Sequence, residues 1–179
     1  MRRFAMVLLP LLLAAGSASA QTQQSVKVGG NKIAILVPPG YSFNVERDSE
    51  GNAKVTMENP VWPIAITAVV IASDDPAVTT PDFQKNELIS RVADALAQAK
   101  EKDYNIRPLQ LAKGTGVYLT FTDATYKKAA DLPLGEFLHL TGGIKAWRGC
   151  FVYFQIMSNS LTSPEYQEAF QLFEQSFSR

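Results

Sequence analysis

The sequence predicts an α+β fold, an antiparallel sheet sandwiched between helices in an α/β/α arrangement. Three observations carry that expectation. Short apolar runs are separated by turn chemistry, at Gly29-Gly30-Asn31 and at Asp48 to Asn52, as in successive hairpins. Thr80-Pro81-Asp82 and Ser163-Pro164-Glu165 both combine an N-cap hydroxyl, a proline in the first turn and an acid, the chemistry that opens a helix. In the run from Cys150 to Met157, Cys150, Val152, Phe154 and Ile156 point one way, while Phe151, Tyr153, Gln155 and Met157 point the other. Both faces of that strand carry apolar weight, so both need cover.

The elements follow in order. Residues 1–20 pair two arginines with an apolar run from Phe4 to Ala15 and a small-residue exit at Ala18 and Ala20. That is the pattern of a secretory signal peptide cleaved after Ala20, too short for the ~20 residues of a membrane span. Gln21 to Gln24 reads as a polar, mobile stub. Val26 to Val28 and Ile33 to Val37 form a hairpin stopped by Pro38-Pro39-Gly40, and Tyr41 to Arg47 with Ala53 to Glu58 form a second. Ile64 to Ala72 is apolar at almost every position, as in a central strand. A helix from Pro81 to about Lys102 places Leu88, Ile89, Val92, Ala93 and Leu96 on one face. Strands are expected at Ile106 to Ala112, Val117 to Thr122, about Gly135 to Trp147, and Cys150 to Ser158. A last helix carries Tyr166, Ala169, Phe170, Phe173 and Phe177 toward the sheet. Residues 21–179 make one domain, large enough to bury a core without disulfides or metals.

Composition excludes some functions. Removing Arg2 and Arg3 from 17 basic residues leaves 15 against 17 acidic ones, a near-neutral chain without the cationic excess that nucleic acid or an anionic membrane surface requires. Cys150 is the single cysteine, so no intramolecular bridge forms, and its apolar run argues for burial over an intermolecular bond.

The order of elements, the entry Ile33-Ala34-Ile35-Leu36-Val37-Pro38-Pro39-Gly40-Tyr41 and the ending Phe173-Glu174-Gln175-Ser176-Phe177 resemble the PsbP-like superfamily. That superfamily contains extrinsic photosystem II subunits, the bacterial envelope protein DcrB and a cytoplasmic chaperone group for type VI secretion effectors. The resemblance implies a compact interaction domain rather than an enzyme. The leader favours the DcrB-like envelope branch, periplasmic or secreted, docking on an envelope protein. No cofactor or metal is expected.

Chemistry finds little support. A Cys150 nucleophile with His139 as base fails on strand geometry. A turn at Arg148-Gly149 separates them by roughly 26 Å, and a turn at Gly142-Gly143 by about 13 Å, at ~3.3 Å per residue, against the ~3 Å required. One histidine and one distant cysteine do not make a zinc site. Asp74-Asp75 reads as a strand end rather than a calcium site. Gly-x-Ser-x-Gly is absent, and Gly114-Thr115-Gly116 and Gly142-Gly143 read as turns or bulges, not phosphate loops. Two places suit a partner. Trp62, between Pro60 and Pro63, is either an aromatic anchor or a plug over the core. Lys145, Trp147 and Arg148 cluster at a hairpin tip as a cationic and aromatic patch, unless Trp147 is core. A small-ligand carrier with a cleft between sheet and helix is the alternative, and an unrecognised hydrolase the third.

Overall fold

A computed structural model describes residues 21–111, 113–147 and 149–176; the leader, Arg148 and Phe177 lie outside them. Nine strands and two α-helices follow in the order β1 (Thr22–Val28), β2 (Asn31–Val37), β3 (Ser42–Arg47), β4 (Ala53–Glu58), β5 (Ile64–Ser73), α1 (Pro81–Ala97), β6 (Arg107–Pro108), β7 (Thr115–Thr122), β8 (His139–Trp147), β9 (Gly149–Ser158) and α2 (Pro164–Gln175). Single 3-10 turns at Pro76–Thr79 and Ala129–Asp131 complete the regular structure of the described residues.

Seven strands form one antiparallel sheet in the order β3-β4-β5-β9-β8-β7-β6, and β1-β2 is a separate two-stranded hairpin. The alternation read in β9 sorts into two cores. Cys150, Val152, Phe154 and Ile156 join α2 and the β1-β2 hairpin on one face. Phe151 and Tyr153 meet α1 on the other. The sandwich is therefore asymmetric, with α1 covering one face and α2 plus the hairpin sharing the other. Ile33, Ile35, Val26 and Val28 are buried, because the hairpin lies on the sheet rather than extending it. Asn31 Nδ2 donates to Gly149 O at 2.9 Å and pins the hairpin turn to the start of β9.

Each helix starts where its cap chemistry directs. Thr80 Oγ1 accepts from Phe83 N at 3.3 Å, and Ser163 Oγ accepts from Tyr166 N at 3.2 Å. Thr80→Ala is expected to cost about 1 kcal/mol, read as a lower urea midpoint with unchanged slope.

Several boundaries differ from the sequence reading. Thr22 to Gln24 are paired with Val37 to Ile35, so the expected stub is part of β1. α1 stops at Ala97 rather than Lys102 because the next residues turn to the sheet, where Lys100 N donates to Thr122 O at 2.8 Å. Its buried line is Gln84, Leu88 and Val92, and Ala93 is exposed. Gln84 is satisfied in the core, its Nε2 donating to Val78 O at 3.1 Å and to Thr115 Oγ1 at 2.6 Å. The strand expected from Ile106 shrinks to Arg107–Pro108, where proline removes a ladder donor. The strand expected from Gly135 begins at His139, because Gly135, at φ 87°, lies in the preceding turn, with Glu136 N donating to Pro133 O. Gly142 and Gly143 lie inside β8, not in a turn.

Candidate functional site

The sequence-predicted residues are dispersed. Trp62 stands in the loop between β4 and β5, where it is 37% exposed beside Val61 at 80%. The loop has its own support. Asn59 Oδ1 accepts from Val61 N at 2.9 Å and Trp62 N at 3.3 Å, an Asx turn that aims the ring outward. Tyr41 meets the Trp62 ring edge-on, with centroids 6.4 Å apart. Burial and the carboxylates of Glu168 and Glu165 push the Tyr41 phenol up to about 12. Trp62 and Pro63 also border a hollow of about 170 Å³ walled in part by Ser158, Ser160 and Glu165.

The Lys145 and Trp147 patch has a different character. Lys145 points into the α2 side of the sheet and is only 4% exposed. Its Nζ donates to three carbonyls at the end of α2, Phe173 O at 3.2 Å, Glu174 O at 3.0 Å and Ser176 O at 2.5 Å. A lysine here meets the negative end of the helix, where a cation is favourable. Its charge thus ties β8 to α2 instead of facing solvent, a correction to the surface cation expected from the sequence. Trp147 is half-buried against the same core, 5.8 Å from the ammonium, and its buried Nε1 has no acceptor among the described residues. Arg148 lies outside the described residues.

The register also settles the Cys150 and His139 geometry. Trp147 pairs with Cys150 while His139 pairs with Ser158, placing the two at opposite ends of the β8-β9 ladder. Cys150 is buried. His139 instead joins a polar group that the sequence reading missed. Thr122 Oγ1 donates to Glu101 Oε1 at 2.9 Å, Thr122 N donates to Glu101 Oε2 at 2.7 Å, and His139 Nδ1 lies 3.2 Å from the same hydroxyl. Burial pushes the Glu101 carboxyl up, but the Thr122 hydrogen bonds outweigh it and leave the group below its ordinary value; burial lowers His139. The signal available beforehand was the parity of Thr120, Thr122, His139 and Thr141, polar residues sharing one face of two adjacent strands. Thr120 and Thr141 hydroxyls lie 3.0 Å apart, and Thr141 is 2.8 Å from the Tyr166 hydroxyl.

Next to this stripe, a cleft of about 380 Å³ opens between α2 and the β6-β7 edge. Glu101, Arg107, Tyr118, Thr120, Tyr166 and Phe170 are among its walls. Tyr118 and Phe170 meet edge-on at 4.8 Å. Among the described residues, no group of three or more His, Cys, Asp or Glu side chains is placed to hold a metal, and no helix is long and apolar enough to cross a membrane.

No family model matches the chain, and no curated protein matches it. Among solved structures, it is similar to the solution structure of cyanobacterial PsbP (CyanoP) from Synechocystis sp. PCC 6803. The two share a TM-score of 0.53 at 12% identity over 93% of this chain and 98% of that one. The likeness is one of fold, and the α+β sandwich described above is PsbP-like.

Proposed function

We propose that this is a non-catalytic protein of the DcrB-like envelope kind, exported by its leader, which docks on an envelope protein through the Val61-Trp62 loop. The observation that carries the reading is Trp62 itself, a large ring partly in solvent yet held by the Asn59 turn and the Tyr41 edge. A pre-oriented aromatic loses little conformational freedom on binding, and rings of this kind supply most of the energy in protein interfaces. Glu165 and Glu168, close enough to act on Tyr41, give the surface an acidic rim that suits a partner with a basic one. The PsbP-like fold is compatible with a role of this kind, and the near-neutral charge argues against nucleic acid.

The test is capture from an envelope fraction by the chain lacking its first 20 residues. One specific protein is expected with the native sequence and none with Trp62→Ala. That substitution should lower stability by about 1–3 kcal/mol, because the ring is only 37% exposed and packs on Tyr41, so the variant's urea midpoint is checked to confirm that it is folded. Capture that survives Trp62→Ala unchanged would overturn the proposal.

A further inference from the structure

The outer edge of β7 has an open slot. Thr122 directs its backbone outward, its N–H to Glu101 and its carbonyl to Lys100 N. Gly116 does the same, its carbonyl accepting from Leu109 N at 2.9 Å, and Tyr118 pairs with Arg107 across the edge. In an antiparallel ladder, alternate residues direct their backbone groups to the same side. Thr120, between Tyr118 and Thr122, therefore also presents its N–H and C=O to the edge, and neither has a partner among the described residues. β6 does not reach it, because that strand ends its pairing at Arg107 and Pro108. An unpaired strand edge is a template for another strand.

The cleft lies over this slot, and its charges are placed at opposite ends. Arg107 stands beside Tyr118, and Glu101 is bonded to Thr122. Those positions lie four residue steps apart along β7, about 13 Å at ~3.3 Å per residue. Arg107 forms no ion pair among the described residues, and each Glu101 oxygen keeps a second lone pair.

We infer that the cleft binds a short peptide with free termini, about three residues long, as an added antiparallel strand on β7. Its middle residue pairs with the Thr120 backbone and turns its side chain toward Tyr118 and Phe170. Running antiparallel to β7, the peptide sets its ammonium against Glu101 and its carboxylate against Arg107. The volume of about 380 Å³ suits such a ligand.

The probe is the tripeptide Ala-Leu-Ala with free termini, titrated into the chain lacking its first 20 residues by calorimetry and by amide NMR. Expected are one site per chain and a shift of the Thr120 amide. Amidating the C-terminus or acetylating the N-terminus should each weaken binding about tenfold, the loss of one charge-assisted contact. Arg107→Ala should weaken the free tripeptide by a similar factor and make the free and C-amidated forms equivalent. Arg107 is exposed, so this variant leaves the fold intact. Trp62→Ala should not change tripeptide binding, which separates this site from the docking loop. The inference is overturned by absence of binding, by an unmoved Thr120 amide, by equal affinity for the doubly capped peptide, or by an unchanged affinity in Arg107→Ala.

Discussion

Gly143→Ala should destabilise the protein by about 3 kcal/mol, the upper part of the range for overpacking a core. A methyl group built on Gly143 overlaps the Phe154 ring at Cζ and at Cε1, the latter 2.6 Å away, with Val117 O 2.9 Å away. The ring has nowhere to retreat. Phe154 is fully buried and stacks on Phe173 of α2, centroids 3.6 Å apart and planes at 21°. Moving it means moving α2, and with it the carbonyls held by Lys145. The adjacent glycine is the control. At Gly142 the same methyl group meets only side-chain atoms, the nearest being Val92 Cγ1 at 3.2 Å and Leu88 Cδ1 at 3.7 Å on α1, so a shift of a few tenths of an ångström accommodates it. A glycine within a strand also gives up extra chain entropy on folding, so alanine recovers roughly 0.5–1 kcal/mol there. Gly142→Ala is therefore expected to be near neutral. Urea midpoints of the two variants decide the matter, and equal midpoints would mean that β8 and β9 are not pinched together at Phe154. Adding Phe154→Leu to Gly143→Ala should restore part of the loss, since both changes act on the same space.

These two glycines show where the sequence reading stops. Alternation in β9 was enough to assign Phe154 and Phe151 to opposite faces, because strand parity is a local property. The turns and the two helix starts were legible for the same reason, whereas the register of β8 on β9 was left between two turn positions and only the structure pairs Trp147 with Cys150. Gly142-Gly143 reads locally as a turn and is instead the thin point of a sheet with layers on both sides, a fact of packing that local pattern does not contain. Lys145 is intermediate. Its charge suggests solvent, yet it shares parity with Gly143 and Trp147, the face that turns toward α2. What the pattern lacked was the end of α2, whose carbonyls accept from the ammonium and make it acceptable in the interior. The cleft was hidden because it depends on how far α2 and β6 each fail to cover β7. Pro108 was the single local clue to the short edge strand.

Lys145→Met is expected to cost about 2 kcal/mol at pH 7, and more in alkali. The substitution keeps a side chain of similar length in the core but leaves the carbonyls of Phe173, Glu174 and Ser176 without their common donor. Each lost contact removes roughly 1 kcal/mol or more, and relief of a buried cation returns part of the sum. The pH dependence isolates that second effect. Burial pushes the Lys145 ammonium down from 10.5 to about 8, with Glu174 opposing the shift. Between these values the unfolded chain binds more protons than the folded one, so stability rises with pH across the window from about 8 toward 10.5. The rise is on the order of 2–3 kcal/mol at 1.36 kcal/mol per pKa unit. Above pH 10 the tyrosines oppose it. Burial raises Tyr41 to about 12 and also raises Tyr153 and Tyr166 above their ordinary 10.0. Their contribution is complete below pH 10 and is lost as pH rises through the folded values. Native stability should therefore climb from pH 8, peak near pH 10 and then fall. In Lys145→Met the climb should vanish while the fall remains, so the gap between the two proteins widens from pH 7 to pH 10. Denaturant titrations at half-unit pH steps measure both curves. A climb of equal size in the variant would mean that the Lys145 ammonium is not the group losing its proton in this range, and that its place beneath α2 is solvated.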